Sequence, residues 1–323
     1  MISVIVPHHK ESVDKMNPLL SSLNGQVGID FKDMELLIIN DDKEVELTKE
    51  DFINYKNIYP RIRTFFNEKT GYMGISRQIG IDEAEGEYII FCDADDALYC
   101  NTLLFDLLTR NVADVYAYSF IEQLRSGQWL EHPPQFTWMF AKSYRKQFLL
   151  EHEIRFSDNI LWHEDTYFNQ VFLSYNPKIE YLRYTGYVWL FSPNTITRDN
   201  DGEYTSKSLC VYIDALDARL DRIKHRLSKQ QREDTIIDDI VYMYCSLMAK
   251  AQKHVLDTVR KNIENRLAKY ILKWDRDLSF LKEENYPKIS RRINESFNSS
   301  IIVPDEGFNQ FILRISKNLQ AEG

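Results

Sequence analysis

Basic charge is in short supply in this chain. Its 40 Lys and Arg stand against 49 Asp and Glu, a formal net charge of −9. That argues against a nucleic-acid binder, which needs a basic face. It weighs less against a membrane-surface protein, because a local basic patch is still compatible with it. Long apolar runs are missing too. The longest, such as Leu36 to Ile39, fall far below the roughly 18 residues of a membrane span. The N-terminus begins a strand almost at once, with no charged region and apolar core of an export signal. Cysteines are few: Cys92, Cys100, Cys210 and Cys245 are widely spread and form no metal-type pair. They read as reduced, mostly buried thiols of a cytoplasmic protein. No Gly-x-Gly-x-x-Gly follows the first strand, which disfavours a dinucleotide-dependent dehydrogenase. Internal repeats and low-complexity tracts are likewise lacking.

What is present is an ordinary globular composition, 44% hydrophobic and 28% charged over 323 residues. That length suits one large domain, or one domain with a smaller appendage. Through residue 120 the pattern alternates between two periods. Ile2–Pro7, Met34–Ile39, Ile62–Phe66, Tyr88–Cys92 and Ala113–Phe120 read as apolar strands. Residues 12–25 and 75–85 read as helices stopped by Gly25 and Gly86. Near-continuous apolar strands separated by helices imply a mostly parallel sheet covered on both faces. In such a sheet the ligand crevice lies at the carboxyl ends of the strands. Three polar loops fall there: Pro7-His8-His9-Lys10-Glu11, Asn40-Asp41-Asp42 and Asp93-Ala94-Asp95-Asp96.

The third loop carries the most information. An apolar strand ends abruptly in three carboxylates, and acids so placed can hold a hard divalent cation, the natural partner of a diphosphate. Asp-rich strand ends also start turns or cap helices. Residues 127–200 are rich in aromatics, a region that would complete the sheet and build a substrate wall. From about 205 the chain reads as helices. Leu209, Ile213, Leu216, Leu220, Ile223 and Leu227 form one heptad seam. Ile237 to Ala251 and Ile263 to Leu281 form two more. The reading is a domain over 1–204, a linker near 199–202, and a small helical module over 205–323 that packs on its neighbours or self-associates.

Four motifs in order resemble glycosyltransferase family 2, inverting nucleotide-sugar transferases with the Rossmann-like GT-A fold. They are Ile2-Ser-Val-Ile-Val-Pro7, Leu36-Leu-Ile-Ile-Asn-Asp-Asp42, Ser76-Arg77-Gln78 leading into Ala84 through Asp96, and His163-Glu164-Asp165. The resemblance covers roughly residues 1–200. His9 stands where the family usually has an aromatic such as Tyr, Lys43-Glu44 where Gly-Ser is common, Gln78 for a usual Asn, and His163 for a usual Gly.

The resemblance implies a UDP-sugar donor, a Mn²⁺ or Mg²⁺ ion, and a single displacement. Asp95 is then the main metal ligand. Asp93 either helps it or bonds the ribose, and Asp96 is a helix cap or supports the ligands. The family's third ligand, frequently a His from a later loop, has no counterpart after the strand at Tyr187–Leu190 until His225, inside a helix. Pro7, His9 and Asp42 fall where the family holds uracil, and Arg77 falls near the base or diphosphate. Asp165 is the base, Glu164 orients the acceptor or holds Asp165, and Trp162 and His163 border the acceptor. Arg198, in the loop from Ser192, touches phosphate or solvent. The acceptor is a cell-surface glycan, wall polymer or lipid-linked sugar, met in the cytoplasm or at the inner membrane face. A non-catalytic nucleotide-sugar-binding scaffold that oligomerises through its helical tail is the other reading. A phosphatase built on Asp93-x-Asp95 fits poorly, because Ala97-Leu98 follows.

Overall fold

A computed structural model describes residues 1–45, 47–192, 203–248, 257–297 and 307–322. The chain divides into two compact units, Met1–Pro193 and Asn194–Gly323. The division falls ahead of the 204/205 boundary expected from the sequence.

The first unit is built on four parallel strands in the order β3-β2-β1-β4: β1 (Ile2–His8), β2 (Met34–Asn40), β3 (Ile62–Phe66) and β4 (Tyr88–Phe91). The apolar runs of β1, β2 and β4 are buried along both faces, as the continuous pattern requires, whereas β3 at the sheet edge leaves Thr64 and Phe66 exposed. On one face lies α1 (Val13–Asn24), started by Ser12, whose hydroxyl accepts from Lys15 N–H, and stopped at Gly25. Its Met16, Leu19, Leu20 and Leu23 join Val4, Val6, Leu36 and Ile38 in the core. Burying each such side chain is worth about 1.5–3 kcal/mol. On the other face lies α2 (Met73–Glu83). Gly74, Arg77, Gly80 and Ile81 form its buried side. A Cβ at Gly80 would stand 2.3 Å from Ile5 Cγ2, so glycine lets the helix lie directly on β1.

Beyond β4 the sheet becomes mixed. β5 (Ala97–Leu98), α3 (Leu103–Thr109), β6 (Val115–Gln123), β7 (Trp129–His132), β8 (Lys142–Arg145), α4 (Lys146–Glu151), α5 (Glu164–Leu173) and β9 (Ile179–Trp189) follow in turn. The full order is β3-β2-β1-β4-β8-β6-β9-β5, with β7 paired to β6. β8 enters antiparallel between β4 and β6, whereas β6 and β9 run parallel. The expected mostly parallel sheet is therefore parallel on one side and mixed on the other. After β6 the chain turns back on it, so that β7 and β8 both pair antiparallel with β6. Phe168 and Phe172 of α5 pack edge-on against Tyr144 of β8, and Phe168 also meets Phe91 of β4.

The second unit is helical: α6 (Glu203–Ile223), α7 (Lys229–Met248), α8 (Asp257–Trp274), α9 (Tyr286–Phe297) and α10 (Phe308–Glu322). The seam residues Leu209, Ile213, Leu216, Leu220 and Ile223 are buried, as are Ile237, Ile240, Tyr244, Leu247, Ile263, Leu267 and Ile271. Ala251 lies outside the described residues. The third seam ends sooner than its spacing implied. α8 stops at Trp274, Leu278 takes a left-handed φ of 53°, and Phe280 becomes the buried residue. At the centre the buried Asp239 pairs with Arg219 and accepts from the Tyr270 hydroxyl at 2.5 Å. No described helix is long and apolar enough to cross a membrane.

Candidate functional site

The carboxyl ends of β1, β2 and β4 and the N-terminus of α5 carry the candidate site residues of the first unit. Arg77 organises them. Its guanidinium is buried, with a side chain only 4% exposed. Nη1 donates to Glu164 Oε1 at 2.5 Å, and Nη2 donates to Asp93 Oδ1 at 3.1 Å. One planar fork thus ties the strand-end acids to the start of α5. Arg77 can reach both because α2 lies flat on the sheet through Gly80. Gly74, one turn earlier, leaves room for Glu164: a Cβ there would stand 3.1 Å from the Glu164 Cβ.

The Asp93–Asp96 loop is held from β9. The Tyr187 hydroxyl accepts from Asp93 N–H at 3.1 Å and donates to Asp96 Oδ2 at 2.6 Å. Leu190 N–H donates to Asp96 Oδ1 at 2.9 Å. Asp96 therefore fastens the end of β9 rather than capping a helix. Burial, then the charges of Asp93 and Asp95, push it well above the usual carboxylate range. Asp95 is the more open acid. Burial, reinforced by Asp93 and by Glu11 of the β1 loop, pushes it up to about 6. An acid made hard to ionise by neighbouring acids is a place where a cation is stabilised. Among the described residues no three His, Cys, Asp or Glu stand together as a ready metal cage. Two carboxylates fit Mg²⁺ or Mn²⁺, which commonly takes one or two acids and completes its shell with phosphate and water.

The β1 and β2 ends meet through His9 and Asp41, an acid not among the expected uracil-site residues Pro7, His9 and Asp42. His9 Nδ1 lies 2.7 Å from Asp41 Oδ1, and Asp41 Oδ2 accepts from Gly71 N–H at 2.6 Å. Pro7 pairs in register with Ile39 and is partly buried. Asp42 turns back on its own loop, accepting from Glu44 N–H at 2.8 Å. It lines a cavity of about 390 Å³ with Asn40, Lys43, Phe65 and Phe66, and neither His9 nor Asp41 borders that cavity. Sequence reasoning chose Asp42 from an Asp-Asp pair. Only the turn after β2 tells the two acids apart.

His163 caps α5 with φ 65° and ψ 21°, in the left-handed region. That explains why glycine is usual at this position in the family it resembles. Glu164 is buried. Burial and the charge of Asp165 raise it, while Arg77 pulls it back. Asp165 accepts from Thr166 N–H at 2.7 Å. Burial raises it, Arg77 and then the Thr166 N–H lower it, Asp93 raises it, and Lys142 lowers it by a smaller amount. Asp165 thus feels Asp93 and shares Arg77 with it electrostatically. Trp162 is half-buried just ahead of α5. Arg198 lies outside the described residues.

Sequence reasoning missed Asp41, Tyr187 and Lys142. An aromatic cluster borders the loop: Phe140 stacks on Tyr187 at 4.6 Å and 3°, and Trp138 lies 5.1 Å from Trp189.

A strand-end acid loop, an Arg-linked acid pair opening a helix, and a half-parallel sheet together define a nucleotide-sugar-transferase type of fold and site. Residues 3–169 match the family model described as Glycosyl transferase family 2, and the chain belongs to that family. A Campylobacter jejuni GalNAc(5)-diNAcBac-PP-undecaprenol beta-1,3-glucosyltransferase is 34% identical over 121 residues, covering 37% of this chain and 37% of that protein. The Minor teichoic acid biosynthesis protein GgaB of Bacillus subtilis is 29% identical over 134 residues, 39% of this chain and 14% of that protein. The chain thus spans well under half the length of these curated relatives. Residues 1–349 of S. aureus TarS, crystallised with UDP-GlcNAc, superpose with a TM-score of 0.64 at 16% identity. That match covers 99% of this chain and 92% of that one, and at such identity it speaks to the fold alone.

Proposed function

We propose that the chain is a metal-dependent, inverting glycosyltransferase. It moves a sugar from a UDP-sugar to a hydroxyl of a cell-surface glycan, wall polymer or lipid-linked acceptor. The observation that carries this reading is the Arg77 fork. It binds the strand-end acids to the helix that bears Asp165, so the leaving-group side and the base side form one electrostatic unit.

The His9 ring, with 45% of its side chain exposed, offers a flat face to the uracil. Asp41 beside it holds the ring in place, its Oδ1 2.7 Å from His9 Nδ1. Asp95 and Asp93 would hold the metal. When bound, that ion neutralises charge growing on the departing diphosphate. Arg77 keeps Asp93 fixed for this task. Asp165 accepts the proton of the acceptor hydroxyl as the oxygen attacks the anomeric carbon opposite the leaving UDP. No covalent enzyme intermediate forms, so the centre inverts. The relatives named for an undecaprenol-linked glycan and for teichoic acid support a surface-polymer acceptor, and with it a place at the cytoplasmic face of the membrane.

The test is a panel of UDP-sugars with the purified protein, with and without Mn²⁺, read by thermal shift and by release of UDP. Binding and slow donor hydrolysis are expected, both metal-stimulated, and hydrolysis is lost in Asp95→Ala and Asp165→Asn. If no UDP-sugar binds under either condition, the reading fails. If turnover ignores metal and Asp95→Ala, metal dependence fails by itself.

A further inference from the structure

We infer that Lys142 is a positioning residue for this reaction: its buried ammonium faces Asp165 from β8 and keeps that carboxylate ionised and directed at the acceptor hydroxyl. The inference rests on the reading of Asp165 as the base.

Lys142 is 1% exposed, a rare situation for a lysine without a salt-bridge partner in contact. Nζ donates to Gln135 O at 2.7 Å and to Phe140 O at 2.9 Å, and it lies 5.3 Å from the centre of the Phe136 ring. These bonds pin the segment between β7 and β8. They leave the third N–H without an acceptor among the described residues. The strand period places the site of that free donor. Lys142 and Tyr144 are two apart on β8 and share a face. The Tyr144 hydroxyl donates to Asn169 Oδ1 at 2.5 Å, and Asn169 lies one helical turn beyond Asp165. Lys142 is thereby brought beside the turn that carries Asp165. Consistent with this, burial drives the Lys142 ammonium down and the charge of Asp165 pulls it part of the way back, to about 7.

The charge balance explains why a second cation is needed. Five groups bear on Asp165 from the surrounding elements: Arg77 of α2, Asp93 after β4, Glu164 of its own helix, and Lys142 and Tyr144 of β8. Arg77 is already divided between Glu164 and Asp93. Tyr144 is a neutral phenol that donates elsewhere. Without Lys142, three carboxylates would share one guanidinium, and the partly buried Asp165 would take a proton most readily at the pH where it must accept one.

The experiment follows UDP-sugar hydrolysis with Mn²⁺, water being the acceptor, from about pH 5 to about pH 9 in the full chain. Lys142→Met and Lys142→Gln are expected to lower kcat about tenfold near neutral pH and to move the acidic limb up by about one unit, with KM for the donor unchanged. Gln can still donate to the two carbonyls, so its loss reports charge rather than loop anchoring. Lys142→Arg should retain more kcat and leave the limb in place. The inference is overturned if the limb is unmoved in Gln and Met, or if Arg is no better than Gln. Should neither neutral variant fold, an upward limb shift in Lys142→Arg overturns it and an unshifted limb supports it. Turnover retained in Asp165→Asn would instead sink the base assignment. An inactive Asp165→Asn with indifferent Lys142 variants sinks only this inference.

Discussion

Replacing Arg77 by Met tests whether one guanidinium holds the site together. The methionine fills most of the volume, so packing changes little and the charge is what goes. Glu164 decides the magnitude. Its side chain is 4% exposed and its oxygen lies 2.5 Å from Arg77 Nη1. Asp93 is 38% exposed and water can replace its lost partner. Stranding one buried carboxylate costs about 3–5 kcal/mol. For a domain of this size, at about 2–4 °C per kcal/mol, the Tm falls by roughly 6–20 °C. The pH dependence carries a definite sign. Glu164 is already raised by burial and by Asp165 despite Arg77, and it rises further without it. The folded variant then holds a proton that the unfolded chain releases. Its stability is intact at acid pH and is lost as pH climbs through the raised value. Thermal unfolding followed by tryptophan fluorescence should therefore show a larger deficit at pH 8 than at pH 5. Arg77→Lys should fall between, because one ammonium cannot span both acids in the geometry of the fork. A Met variant within about 1 kcal/mol of wild type at pH 8, or a deficit that grows toward pH 5, would refute the account.

Three further outcomes are expected. His163→Gly relieves a left-handed backbone and raises stability by up to about 1 kcal/mol, whereas His163→Val lowers it, both read from denaturant midpoints. Gly80→Ala drives a methyl into Ile5 and costs about 1–3 kcal/mol, with a loss of turnover as α2 lifts Arg77 from its acids. Asp95, held up to about 6, is penalised in the metal-free fold above that pH. Asp95→Asn should thus show a higher Tm than wild type at pH 8, a gain that disappears below about pH 4. Added Mn²⁺ should raise wild type and leave the Asn variant unmoved.

Much of this molecule is legible in one dimension. Continuous apolar runs announce β1, β2 and β4, because a strand buried on both faces needs nothing else. Ser12 and Gly25 bracket α1 through local hydrogen bonds, and the seams from Leu209 to Ile271 foretell which side of each long helix is buried. Such features depend on neighbours within a few residues, so composition and spacing determine them. The mixed half of the sheet is not legible this way. Nothing in Lys142–Arg145 says that it enters between β4 and β6, since pairing direction follows connection length and competition among strands. The site divides along the same line. The sequence marked the acids of the β4 loop and of α5. Tertiary structure alone joined Arg77 to Glu164 across 87 positions and Tyr187 to Asp96 across 91. It also chose Asp41 over Asp42 for His9 and buried Lys142. Periodicity records how each residue relates to its own element. Which charges share a desolvated space is settled only when distant elements pack.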